Sequence, residues 1–229
     1  MSRDDLDALG TTLGREFRTQ THSVEIGAYA VELLHPASAE ELIDEQEFAL
    51  DERLPYWADI WPSALVLARH MVAQQGTGRT LLELGCGAGL VTTAAALAGF
   101  RVTASDYYDD ALRFARHNAW HNARARIATR NLDWRHLPRD LPKYDVVVAS
   151  DVLYERPYAT FVADAIARML APHGTAYVTD PGRLALEEFQ TRLSGRGLDA
   201  GEPVRIAYED GAIRQTIQRF AIRWADGSD

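Results

Sequence analysis

Between Glu83 and Gly89 the chain reads Glu-Leu-Gly-Cys-Gly-Ala-Gly, directly after the apolar run Thr80-Leu81-Leu82. Alternating glycines let a backbone turn sharply and approach a bulky ligand, and a helix starting near Leu90 would offer that ligand its free N–H groups. The spacing departs from the dinucleotide fingerprint, whose third glycine would stand at position 90, where the chain has Leu90. No Gly-Lys-Ser/Thr follows, so a phosphate-gripping loop is excluded. Gly85, Cys86, Gly87 and Gly89 read as the seat of a nucleoside-type cofactor. Cys86 is a small side chain in a cramped turn, since nothing beside it suggests histidine activation of a nucleophile.

Polar residues recur downstream at places that suit the same ligand. Asp106 lies 23 residues beyond Glu83 and can accept from both ribose hydroxyls, a role compatible with capping the helix that follows. Tyr107 beside it joins the binding set. Asp133-Trp134 offers an acceptor for an adenine amino group and a ring to pack on a purine. Ser150-Asp151-Val152-Leu153-Tyr154 brings Ser150, Asp151 and Tyr154 to the same end of the fold. His117 and His121 have zinc-compatible spacing, but Asn118 stands where a metalloprotease motif has Glu and no third ligand is evident. No metal site is expected, and the two histidines read as a solvated helix face.

These residues need elements that deliver them. Strands are predicted over 80–84, 101–105, 126–130, 144–150 and 175–179, and helices over 62–76, 90–98, 109–122, 159–170 and 184–193. Pro62 suits a first helical turn. Each chemistry-bearing group then follows a strand, and open α/β sheets bind ligands at the carboxyl ends of their strands. Val204–Tyr208, the turn Asp210-Gly211 and Ile213–Trp224 read as a terminal β-hairpin. The fold class is therefore α/β, a Rossmann-like seven-stranded sheet, mostly parallel with one antiparallel strand from that hairpin and helices on both faces. Residues 1–59 form an N-terminal extension, with a frayed or helical start and a β-hairpin over His22–Leu34 around Gly27. Residues 60–229 form the main domain.

Composition limits the function classes. A length of 229 residues suits one such domain, and no apolar stretch approaches the roughly 20 residues needed to span a bilayer. The start of the chain carries three aspartates and does not read as a signal peptide. One cysteine excludes an internal disulfide framework, so the expected compartment is the cytoplasm. A net charge of -9 disfavours nucleic-acid binding, and the arginines at 113, 116, 124, 126 and 130 read as a solvated face and strand edge. Seven carboxylates (Glu40, Glu41, Asp44, Glu45, Glu47, Asp51, Glu52) stand near Arg53; they read as a solvated face or, more sharply, as a rim attracting a cationic substrate.

In three blocks the chain resembles the seven-strand class I methyltransferases, and within them the family 16 protein-lysine methyltransferases. The blocks are Leu54-Pro55-Tyr56-Trp57-Ala58-Asp59-Ile60-Trp61-Pro62-Ser63, then Leu82 to Gly89, then Ser150 to Tyr154. The resemblance runs from about His22 to the end. It implies S-adenosyl-L-methionine as cofactor, with Trp61 against it, Glu83 and Gly85 at its methionine end, Asp106 on the ribose and Trp134 beside the adenine. It also implies that Asp151 and Tyr154 face the substrate amine. The Asn/Asp-Pro-Pro-aromatic string shared by nucleobase amino-methyltransferases is missing, which argues against that acceptor.

Free lysine titrates near 10.4, so only about 0.1% is neutral around pH 7.4, and a methyl-accepting site must desolvate and align the amine. On this reading Asp151 orients the incoming ammonium, Tyr154 positions it, and Trp57 and Trp61 line the channel with their ring faces. A lysine-bearing protein substrate is the first expectation. A small-molecule amine or other metabolite is the alternative, and a cofactor-binding protein without turnover the third.

Overall fold

The alternation along β6 (Tyr144–Ser150) sets the architecture. Val146 and Val148 belong to one core, Val147 and Ala149 to the other, and all four are fully buried. A strand buried on both faces requires helices on both sides. In the computed structural model, which describes residues 1–43 and 54–225, those helices are present. On one face lie α2 (Pro62–Val72), α3 (Leu90–Leu97) and α4 (Asp109–Ala123); on the other lie α5 (Arg156–Met169) and α6 (Leu186–Ser194).

The sheet runs β5 (Ala128–Asn131), β4 (Arg101–Asp106), β3 (Thr80–Leu84), β6, β7 (Leu170–Asp180) and β10 (Ile213–Trp224). β5 to β7 are parallel neighbours, and β10 pairs antiparallel with β7. The far edge of β10 is shared by β8 (Leu198–Asp199) and β9 (Val204–Asp210), which gives seven strand positions, as expected. The chain order reverses between β3 and β6, and that switch point is where open α/β sheets hold ligands.

Several element bounds shift by a few residues, and two differences in the sheet have a clear physical cause. β7 begins at Leu170, immediately after α5, and not at Thr175. Leu170 pairs with Tyr144, then the register slips and Thr175 pairs with Val146. Pro172 has no N–H for a ladder, and Gly174 fits where a Cβ would stand 3.0 Å from the Asp145 carbonyl oxygen, so the strand bulges rather than stopping. The terminal hairpin turns one residue later than expected, on Gly211 and Ala212, because Asp210 itself pairs with Ile213.

The start of the chain is helical rather than frayed. Ser2 and Asp5 form a reciprocal capping box at the start of α1 (Arg3–Glu16), and Leu6, Leu9 and Leu13 bury one stripe. β1 (Thr19–Ile26) and β2 (Tyr29–Pro36) make a separate two-stranded sheet. Two amides on α4 cover the outer edge of β2. Asn118 donates to and accepts from the Leu34 backbone at 2.8 and 2.9 Å, and Asn122 does the same with Glu32 at 2.9 Å. Side-chain amides one helical turn apart thus stand in for a neighbouring strand. Asn118 also donates to Ala88 at 2.8 Å, linking the hairpin to the glycine turn.

The same helix corrects the expected solvated face. His117 packs beneath α1, where any Cβ on Gly10 would strike its ring, and burial holds it neutral at about 4. His121 pairs with Glu32. Arg113, expected among solvated arginines, pairs with Glu16 and Asp110 and is largely covered. Among the described residues no group of His, Cys, Asp and Glu could hold a metal, and no helix is long and apolar enough to cross a membrane. Of the acidic run, Glu40 and Glu41 open the short turn Glu40–Leu42; Asp44, Glu45, Glu47, Asp51 and Glu52 lie outside the described residues.

Candidate active site

β3 delivers Glu83, fully buried, into the glycine turn. Gly87 and Gly89 have φ of +50° and +87°. A Cβ on Gly87 would lie 2.9 Å from the Trp57 carbonyl oxygen, and one on Gly89 would lie 2.6 Å from Ala115 Cα. The turn can therefore close only on glycine, and it holds the start of α3 against a cleft of about 1110 Å³, open mouth included.

Asp106 reaches back across this turn from the end of β4. Its Oδ2 accepts from the Gly87 N–H at 2.9 Å, and its Oδ1 accepts from the Tyr108 N–H at 3.1 Å. Burial pushes Asp106 up to about 6, against the N–H donors that lower it. With the Gly87, Tyr107 and Tyr108 N–H groups on a carboxylate of about four acceptor positions, Asp106 keeps acceptor capacity for a ligand hydroxyl. Burial also pushes Glu83 up to about 8, although Thr92 donates to Oε2 at 2.5 Å, so Glu83 is mostly neutral at pH 7. The Cys86 thiol is pushed up by burial and by Asp106 and Glu83, which fits an inert turn residue.

After β5, Asp133 caps the turn Trp134–His136. Both of its oxygens are engaged by Arg135, bidentately, and Oδ2 also meets His136. Burial opposes the ionised form, but those bonds hold the carboxyl well below the usual range. Trp134 lies over Gly85, where a Cβ would come within 3.2 Å of its ring, and its buried Nε1 has no acceptor among the described residues. Tyr107 stands at the margin, with the Arg135 guanidinium 5.8 Å from its ring centre.

The other end of the cleft is walled by aromatic rings. Trp61, Tyr56, Tyr154, Tyr158 and Trp134 form a continuous chain with centroid separations of 6.0, 5.3, 4.6 and 5.8 Å. Trp61 Nε1 donates to the Tyr56 carbonyl at 2.9 Å, which fixes its ring. Trp57 is more deeply set and packs on Phe114 and Tyr108. β6 ends at Ser150, and Asp151 follows with φ of +58°, its N–H donating to Thr179 at 2.9 Å. A non-glycine residue in that left-handed region is strained, and such strain clusters at functional sites. The Arg183 Nε donates to Asp151 Oδ1 at 2.5 Å. Burial, followed by Tyr158, pushes the Tyr154 phenol far above its ordinary range, so it stays a neutral hydroxyl whose oxygen can still accept.

All the residues singled out in the sequence line this one cleft: Trp57, Trp61, Glu83, Gly85, Cys86, Gly87, Gly89, Asp106, Tyr107, Asp133, Trp134, Ser150, Asp151 and Tyr154. Sequence reasoning missed Tyr56, Tyr158, Thr92 and Arg183. Tyr56 stood inside a quoted block and had a signal; Arg183, distant in sequence and outside every motif, had none. Chemically, one end offers carboxylates and a glycine cradle to a nucleoside. A side chamber lined by Tyr56, Trp61, Asp151, Tyr154, Glu155 and Arg183 offers an acidic, aromatic environment to a cation.

Comparison with known proteins gives the family and the fold. Residues 51–191 match a family model described as lysine methyltransferase. EEF1A lysine methyltransferase 3 of Mus musculus is 32% identical over 162 residues, 67% of this chain and 68% of that protein. The electron transfer flavoprotein beta subunit lysine methyltransferase of Danio rerio is 30% identical, over 61% of this chain and 55% of its own length. A ribosomal protein L11 methyltransferase of Azotobacter vinelandii is 33% identical, over 72% and 50%. The chain thus spans about half the length of several curated relatives that it matches. Among solved structures, the magnesium protoporphyrin IX methyltransferase of Synechocystis PCC 6803 with bound SAM shares the fold, with a TM-score of 0.57 at 17% identity, over 80% of this chain and 94% of that one.

Proposed function

Because the chain belongs to the lysine methyltransferase family, we propose that it transfers a methyl group from S-adenosyl-L-methionine to the side-chain amine of a lysine in a protein substrate. The observation that carries the acceptor is the side chamber, where Asp151, Tyr154 and Trp61 meet. A carboxylate, a neutral phenol whose oxygen can accept, and an indole face together suit an alkylammonium better than a neutral hydroxyl or a nucleobase. The division into an extension, 1–59, and a transferase domain, 60–229, is proposed with it, as is action in the reducing cytoplasm, where the single cysteine needs no partner.

The residues fit the cofactor. Asp106 keeps acceptor capacity for ribose hydroxyls, and the glycine turn leaves room that Cβ atoms would fill. Trp134, with a buried N–H that has no acceptor among the described residues, suits the adenine. Asp133 serves here by ordering the Trp134 turn through Arg135, since its oxygens are already engaged. Glu83, with Gly85, would meet the methionine end, where a cationic amine favours the ionised carboxylate. When bound, the cofactor supplies an electrophilic methyl carbon on a sulfonium.

The chain's residues then have to present a neutral, aligned nitrogen. Asp151 draws the ammonium in and orients it, Tyr154 and the Trp61 face fix its approach, and the aromatic wall excludes water. Ring contact falls to Trp61; Trp57 lines the same cleft but packs on Phe114 and Tyr108. A lysate incubated with the enzyme and methyl-labelled cofactor should yield label in a discrete protein band at a lysine. Label confined to the small-molecule fraction would replace the protein acceptor by a metabolite amine, and cofactor binding without label would remove the transferase reading.

A further inference from the structure

The side chamber already holds a cation of the protein's own. Arg183 contacts Asp151 through Nε at 2.5 Å, and its guanidinium carbon stands 5.6 Å from the Trp61 ring centre. Those are the carboxylate and the ring face assigned above to the substrate ammonium. We propose that Arg183 is a resident occupant of the acceptor subsite, which an incoming lysine must displace, so that Arg183 sets the acceptor's apparent affinity and rejects weakly bound amines. The inference rests on the methyltransferase reading and deepens it.

The loop is built for such an exchange. Asp180 Oδ1 accepts from the N–H groups of Gly182 and Arg183 at 2.7 Å each, so the backbone at 183 is pinned and only the side chain has to move. Rotamer changes of that kind are fast beside turnover. The Asp151 side chain is 4% exposed and that of Arg183 is 32% exposed. Asp151 is therefore costly to leave unpaired, whereas Arg183 has solvent to move into. Cation-for-cation exchange avoids a bare buried carboxylate, and a competitor present most of the time lowers the apparent affinity in proportion. A protein substrate, with contacts beyond the lysine, can offset that competition; a free amine has only the subsite and binds correspondingly more weakly.

The geometry gives a sharp test. In Arg183→Lys the new Nζ occupies the position of the arginine Cζ, inside the subsite. Loaded with S-adenosylmethionine, that variant should methylate itself at position 183. The neutral nitrogen's lone pair forms the N–C bond, the C–S bond breaks with its electrons on sulfur, and the ammonium product loses a proton to water. Peptide mass mapping reads the mark, which should be missing from the wild type.

A second readout needs no turnover. By calorimetry with S-adenosylhomocysteine present, n-butylammonium should bind Arg183→Gln about tenfold more tightly than wild type. S-adenosylhomocysteine itself should bind both proteins equally. An unmarked position 183 in the lysine variant, or unchanged or weaker n-butylammonium binding in the glutamine variant, overturns the proposal. A wild type that fails to bind S-adenosylhomocysteine overturns the cofactor reading beneath it.

Discussion

At the glycine end of the cleft, ligand-facing groups are held mainly by the backbone. Gly87 donates to Asp106, Asp106 accepts from Tyr108, and the glycines leave no side chain to rearrange. At the acceptor end the walls are side chains from four separated segments: Tyr56 and Trp61, Asp151 and Tyr154, Tyr158 on α5, and Arg183 beyond β7. One end is fixed by main-chain geometry and suits a cofactor that never changes. The other is an assembly of rings and charges whose composition can be retuned without disturbing the sheet. The difference also separates what a substitution should do at each end.

The largest expected effect is on turnover alone. Asp151→Asn should lower kcat on the true acceptor roughly 100-fold or more while S-adenosylhomocysteine affinity stays within about twofold. Full activity at saturating cofactor would remove the role assigned to Asp151. Gly89→Ala should do the opposite, damaging fold and cofactor binding together. Its Cβ meets Ala115 at a φ where only glycine is unstrained, so a loss of roughly 2–4 kcal/mol is expected in denaturant melts. If the variant is as stable as wild type, the turn is more forgiving than its contacts imply.

Asn118→Ala sharpens the comparison from behind the turn. It leaves the Leu34 and Ala88 backbone groups unpaired and should cost about 1–3 kcal/mol, with weaker cofactor binding and no selective change in acceptor KM. A pure acceptor effect would contradict the linkage.

The smallest effect is in pH. Glu83 sits near 8 in the folded protein, above its ordinary 4.5, so the neutral form is the favoured one. Its stabilising contribution is full below about pH 4.5 and fades as pH rises to about 8. The cofactor-free protein should therefore melt lower at pH 8.5 than at pH 6. Cofactor affinity should rise over the same interval, because a cationic methionine end favours ionised Glu83 and binding then releases a proton. Calorimetry in buffers of different ionisation enthalpy measures that release; none at pH 7 would mean that Glu83 does not meet the cofactor's amine.

Much of the molecule was legible in its sequence for local reasons. Glycines that admit positive φ, apolar runs such as Thr80–Leu84 and Tyr144–Ser150, and carboxylates placed just after strands report the fold and the cofactor end directly. Period and turn chemistry act over a few residues, so the sequence alone determined the sheet, its helices and the glycine turn, Gly85 to Gly89, that is proposed to seat the cofactor. Only the tertiary structure decided that Asn118 pairs like a strand, that His117 is covered by α1, and that Arg183 reaches Asp151 across 32 residues of chain. Those contacts join segments distant in sequence: the first two exist only once α4 packs on β2 and α1, the last only once β6 and β7 lie side by side and bring their ends together.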